Sequence, residues 1–282
     1  MYVIPRGTVV ITGASSGIGA EFARQFAARG HDLLLHGRRE PLLATLCQDL
    51  AARHGIRASH VLAELSDPAG VKAVEDRIAA IPDLAVLVNN AGSGSLGNFV
   101  DEPAADHEAL VHTHVLAAVR LMHAALGGMR ARKAGAIINV SSVAGFLIGP
   151  RNAAYCAAKA FLTSFTESVQ LELHGTNIHL QALCPGFTIS DFHTRLGYDT
   201  SGDFFKKFMT AQDVVSQSLR ALEREKVVCV TGTRYRIGLL FIPRFLPRRL
   251  FYWGVRVTRD AKWLRHGGKR PAKSNAGQNS FA

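Results

Sequence analysis

The sequence predicts an α/β fold: a doubly wound parallel sheet of about seven strands with helices on both faces, extended at its C-terminus by a basic helical segment. Three observations carry this. Short apolar runs alternate with longer helix-like patterns from residue 8 to residue 231. The runs are continuous rather than alternating, as expected of strands covered on both faces. The charge divides the chain: residues 1–233 carry as many basic as acidic side chains, so the whole net charge of +11 falls on residues 234–282, whose one acidic residue is Asp260.

The first strand candidate is 8–12, and it runs straight into Thr12-Gly13-Ala14-Ser15-Ser16-Gly17-Ile18-Gly19. From there Ile18, Phe22 and Phe26 recur at spacing four, the stripe of a helix with one face on a sheet. Further strand candidates are 32–36, 59–63, 84–89, 136–141, 178–184 and 227–231. Leu84 to Val88 and Ala136 to Val140 show the continuous pattern best, and Leu162, Phe165, Val169 and Leu173 make a second helix stripe. Strands alternating with helices form βαβ units, right-handed crossovers follow, and a ligand then sits at the carboxyl ends of the strands.

Apolar residues make up 48% of the chain, enough for a large core, so disorder is excluded as the default. Cys47, Cys156, Cys184 and Cys229 lie far apart with no CxxC, which argues against zinc or a disulfide framework and fits a reducing cytosol. Residues 1–7 lack the apolar core of a signal peptide, and no apolar run approaches the roughly 18–20 residues that span a bilayer. The expectation is a cytoplasmic protein. Because the basic charge belongs to the tail, it gives no ground for a nucleic-acid partner of the whole protein.

The glycine turn follows a strand and opens an amphipathic helix, the context in which such a turn cradles a pyrophosphate. Its spacing is Gly-x3-Gly-x-Gly, with Gly13, Ser15, Ser16, Gly17, Ile18 and Gly19 facing the phosphates. About 20 residues past such a turn, an acidic residue selects NAD by bonding the ribose. Gly37 stands there instead, followed by Arg38 and Arg39, and guanidinium suits a 2′-phosphate. This predicts NADP(H) in preference to NAD(H). Further on, Tyr155 and Lys159 stand at i and i+4, on one helix face. A free phenol titrates near pH 10, too high for easy proton exchange at neutrality; an ammonium beside it lowers that value. Ser142, at the end of a strand, can donate to a substrate oxygen. Residues 1–233 therefore read as a dinucleotide-binding catalytic domain, and residues 234–282 as a basic amphipathic extension.

These motifs, with Asn89-Asn90-Ala91-Gly92 and Pro185-Gly186, resemble the short-chain dehydrogenase/reductase superfamily over residues 6 to about 232. The resemblance implies a Rossmann-type sheet. It also implies Tyr155 as general acid/base, Lys159 as its partner and a ribose ligand, and Ser142 as substrate orienter. It further implies Asn90, Ala91 and Gly92 near the adenosine, and Pro185, Gly186 and Thr188 along the nicotinamide. Two positions depart from the family pattern. Where the family has an Asn thought to hold a relay water, this chain has His114, which can hold that water or shuttle the proton, or can simply pack. The family's adenine-contacting Asp is Glu64, followed by Leu65.

Substrate choice is expected in segments bearing Phe99, Phe146, Leu147, Phe187, Phe192, Phe204 and Phe205. These suggest a lipophilic substrate such as an acyl chain, a steroid-like ring or a long aldehyde, or else loops packing their own aromatics. Gly94, Gly97, Gly197 and Gly202 would let those loops move. In the tail, residues 239–257 join bulky apolar side chains to arginines and include Tyr252 and Trp253. That suits peripheral docking on anionic lipid at the inner face of a membrane, ahead of covering the substrate entrance or packing on a second subunit. The resemblance implies self-association, with a dimer favoured. The competing reading is a cofactor-binding scaffold or regulatory protein without turnover, against which the intact Ser142, Tyr155 and Lys159 count.

Overall fold

The computed structural model describes residues 1–94, 97–189, 208–245, 249, 250 and 252. Its strands are β1 (Thr8–Ile11), β2 (Asp32–Gly37), β3 (Ala58–Leu62), β4 (Leu84–Asn89), β5 (Gly135–Val140), β6 (Ile178–Cys184) and β7 (Val228–Val230). The helices among the described residues are α1 (Gly17–Ala28), α2 (Glu40–His54), α3 (Pro68–Ala79), α4 (Ala104–Val111), α5 (Ala117–Arg132), α6 (Ala153–Glu172), α7 (Ala211–Glu223) and α8 (Thr233–Phe245). All seven strands pair in parallel in the order β3-β2-β1-β4-β5-β6-β7. Each predicted strand is present within a residue or so of its predicted ends.

The continuous apolar runs become strands because both faces are covered. Val9 and Ile11 point into one layer with Phe22 and Phe26 of α1, Leu43 of α2 and Leu219 of α7. Val10 points into the other, with Val71 of α3 and Leu121 and Met129 of α5. The stripe Ile18, Phe22, Phe26 faces the first layer, and Phe165 and Val169 of α6 pack on the second. Local chemistry sets several helix ends: Asp67 caps α3 by accepting from the Ala69 N–H at 3.0 Å, and Gly55, with φ of 65°, ends α2.

The order of strands reverses direction around β1, whose neighbours are β2 and β4. The chain therefore leaves the sheet toward opposite faces on either side of the β1–β4 boundary. A crevice opens there at the carboxyl ends, because the crossovers diverge.

The helix Ala104–Arg132, formed by α4, a π-helical turn at His112–Leu116 and α5, is by length and composition apolar enough to cross a membrane. No uninterrupted apolar run shows this, because His112, His114, Arg120 and His123 are scattered through it. Its apolar side is spent inside the fold, where Leu121, Met122, Ala125 and Met129 are buried in the second core layer. Phe192, Phe204, Phe205, Gly197, Gly202, Trp253 and most of the tail lie outside the described residues.

Candidate active site

The glycine turn follows β1 and is shaped by close backbone approach. Gly13 has φ of 65°, and a Cβ on it would stand 2.8 Å from the Ala91 Cα; a Cβ on Gly19 would stand 2.4 Å from the Gly13 carbonyl oxygen. Asn90 fastens the turn to the end of β4: its side-chain amide donates to the carbonyls of Thr12 and Gly13 at 2.9 and 3.0 Å. The Thr12 hydroxyl accepts from the Asn90 and Ala91 N–H groups at 2.9 and 3.0 Å. Ser16 heads α1 without a side-chain cap on its N–H groups, and the first turn contains no acidic residue. The positive end of α1 is thereby left to an anion.

Arg38 and Arg39 part company. Arg39 turns to the glycine loop and donates to the hydroxyls of Ser15 and Ser16 at 2.9 and 2.8 Å. Arg38 turns the other way, toward the end of the neighbouring strand β3, and pairs with Glu64 at 2.7 Å. Burial would raise the Glu64 carboxyl, but the Ser66 N–H and Arg38 outweigh it and hold the group below its ordinary value.

On the other side of the reversal, β5 and α6 bring Ser142, Tyr155 and Lys159 together. The Lys159 ammonium donates to the Val140 carbonyl at 2.6 Å and lies 5.6 Å from the Tyr155 ring centre. The Tyr155 hydroxyl is hydrogen-bonded to Ser142. The Ser141 hydroxyl donates to the Lys159 carbonyl at 2.8 Å, fixing α6 against β5. Burial pushes the Tyr155 phenol up to about 12, with the Ser142 bond opposing, and brings the Lys159 ammonium down to about 7. The expected lowering by Lys159 is not among the influences on the Tyr155 phenol, of which burial is the largest.

His114 is buried in the π-helical turn, its ring edge-on to Tyr155 at 5.6 Å. Its Nε2 lies 3.0 Å from the Ser93 nitrogen and 2.8 Å from the Ser93 oxygen, so the imidazole accepts from one or donates to the other according to tautomer. Nδ1 is buried without a partner. Burial first, then Lys159, keeps the ring neutral, well below the ordinary histidine range. Gly92 makes room for it: a Cβ there would stand 2.3 Å from the His114 Cε1.

A single cavity of about 530 Å³ joins both sides of the reversal. Every predicted site residue lines it except Gly19, which packs beneath Gly13. The lining residues that sequence reasoning missed include the polar His36, Ser93, Thr113 and Asn152, none of which belongs to a recognisable spacing. Pro185, Gly186, Phe187 and Thr188 close one wall. Leu147 reaches the cavity, whereas Phe99 is 63% exposed and stacks on His107.

The fit to a dinucleotide rests on the chain itself: glycines that admit no Cβ, an uncapped helix N-terminus and an arginine on two serine hydroxyls, all along one cavity. Such a layout, divided by a reversal of strand order, defines a nucleotide-binding oxidoreductase of the doubly wound α/β class. Comparison with known families narrows the class. Residues 7–200 match the short chain dehydrogenase family, and the chain belongs to the short-chain dehydrogenases/reductases, enzymes acting on hydroxyl or carbonyl groups with a nicotinamide cofactor. Among curated relatives, a very-long-chain 3-oxoacyl-CoA reductase of Laccaria bicolor is 34% identical over 64% of this chain and 54% of that protein, so the match spans about half of its length. Among solved structures, a short-chain dehydrogenase from Sphingobium yanoikuyae in complex with NADPH is 31% identical, with a TM-score of 0.75 over 95% of this chain and 98% of the other. One from Burkholderia phymatum in complex with NAD is 25% identical, with a TM-score of 0.75 over 85% and 94%.

Proposed function

We propose that this enzyme moves a hydride between NADP(H), preferred over NAD(H), and the carbonyl or secondary alcohol of a lipophilic substrate. The observation that carries the reading is the joining of Arg39, Ser15 and Ser16 to Ser142, Tyr155 and Lys159 along one cavity. Bound cofactor supplies the hydride. Ser142 donates a hydrogen bond to the substrate oxygen and holds it before Tyr155. In the reductive direction Tyr155, still protonated at neutral pH, passes its hydroxyl proton to that oxygen as negative charge develops there. Lys159, with the lower pKa, returns a proton to the phenolate downhill. His114 serves the same relay: it shares with Thr12, Asn89, Thr113 and Lys159 a second cavity of about 10 Å³, the size of one water, and its buried Nδ1 has no partner among the described residues.

The cofactor preference rests on Arg39 rather than on both arginines, because Glu64 neutralises Arg38. The lipophilic substrate is supported by Phe187 and Leu147 in the cavity wall and by the acyl-CoA substrate in the name of the Laccaria relative. Residues 1–233 are the catalytic domain in this reading, working as a cytoplasmic dimer. Residues 239–257 dock on anionic lipid, in keeping with the exposed Leu250 and Tyr252 beside Arg249. The deciding experiment is oxidation of NADPH and of NADH by the purified enzyme against a panel of long-chain and cyclic ketones and aldehydes. NADPH is expected to turn over at much the lower KM. Equal KM values would remove the preference, and no turnover with any carbonyl would remove the reading.

A further inference from the structure

The wall formed by residues 185–189 carries no charged side chain, yet it is fastened to three separate elements. The Pro185 carbonyl accepts from the Val143 N–H at 3.0 Å, next to Ser142. Met209, just before α7, exchanges bonds with Phe187 and Ile189 at 3.2 and 2.8 Å. The third fastening comes from α8, the first helix of the extension. The Tyr235 hydroxyl accepts from the Phe187 N–H at 3.2 Å, and its ring lies where a side chain of Gly186 would be: a Cβ there would stand 2.1 Å from Cε2. Gly232, with φ of 83°, turns the chain after β7 so that α8 crosses back over this wall, and a Cβ on it would stand 3.1 Å from the Tyr235 Cδ2.

We propose that Tyr235 is a positioning residue of the active site: its ring and hydroxyl set the place of Gly186 and Phe187, and through Pro185 and Val143 the place of Ser142. The start of the C-terminal extension is then part of the catalytic machinery. Without the ring, Gly186 and Phe187 relax toward α8, and the Val143 N–H that is bonded to Pro185 is drawn with them. The oxygen of the substrate is held by Ser142, so a small displacement there is felt in the chemical step more than in cofactor affinity. The glycine turn and Arg39, at the far end of the cavity, are untouched.

The kinetic part rests on the proposed carbonyl reduction; the structural part does not. Full-length wild type, Tyr235→Phe and Tyr235→Ala are compared by steady-state kinetics, NADPH titration and hydrogen exchange of the 185–189 amides. Tyr235→Phe, which keeps the ring, is expected to lower kcat about fivefold, the worth of one neutral hydrogen bond. Tyr235→Ala is expected to lower it by up to about 100-fold, as for a misplacement near 1 Å. The Kd for NADPH stays within about twofold in both, and the Phe187 amide exchanges faster in both. Unchanged kcat together with unchanged exchange would overturn the proposal, as would a loss of kcat matched by an equal loss of NADPH affinity. Should the alanine variant not fold, the phenylalanine variant decides alone. Wild type without turnover would remove the functional reading, while the exchange data still decide whether Tyr235 holds the wall.

Discussion

At the β1–β2 end of the cleft, Arg38 and Glu64 lie near the surface and answer each other, and Arg39 rests on two hydroxyls. At the β5–α6 end, Lys159 and His114 are buried and Tyr155 is half-buried, and one polar atom of the histidine has no partner among the described residues. The first end is built of backbone, glycine and solvated charge, and its groups act by shape and field. The second is built of groups whose ionisation is displaced by burial. What differs is the source of function: the binding end takes it from geometry that costs little, and the chemical end takes it from desolvation that opposes folding.

Five substitutions break or sharpen that contrast. Removing the proton donor should do most: Tyr155→Phe is expected to lower kcat by roughly 10²–10⁴-fold, with NADPH affinity preserved in a fluorescence titration. Arg39→Ala should raise the KM for NADPH by about 10–100-fold, the worth of a hydrogen bond to a charged group, and leave the KM for NADH unchanged. Arg38→Ala, removing one side of an exposed pair, should change either by less than about threefold. If the two arginines proved equivalent, the division between them would fail.

Gly92→Ala tests the packing at the chemical end. Its Cβ would intrude on the His114 imidazole, so a loss of about 1–3 kcal/mol in denaturant unfolding is expected. Lys159→Met tests the cost of burial. The folded value of Lys159 lies near 7, below its ordinary 10.5, so between these values the unfolded chain binds more protons than the native one. The penalty is complete below about pH 7 and is relieved as pH rises toward 10.5, so wild type should gain stability relative to Lys159→Met across that window. The difference in melting temperature between the two proteins, followed from acid to alkaline pH, reads this directly; a difference that stays flat would show that Lys159 is not paying for burial.

The strands were legible because parallel strands covered on both faces must be continuous apolar runs, as Leu84 to Val88 and Ala136 to Val140 are. The glycine turn and the Tyr155–Lys159 pair were legible because their spacing is itself the geometry. What sequence did not carry is direction and burial. Arg38 and Arg39 are neighbours, and only the end of β2 and the start of α2 decide that one meets Glu64 and the other Ser15. Lys159 reads as a cation until its surroundings are known. The Tyr235 contact with Gly186 joins positions far apart in the chain, and neither residue belongs to a pattern that would suggest the other.

The contact between Gly92 and His114 also constrains how this sequence could have arrived where it is and where it can go. A side chain larger than hydrogen at 92 meets the imidazole, so leaving glycine there is costly while His114 is present and cheaper once a smaller residue stands at 114. The reverse order passes through an intermediate with two groups in one space. The order of substitution therefore matters: a library that varies position 92 alone would judge it nearly immutable, whereas one that varies position 114 as well would find room there.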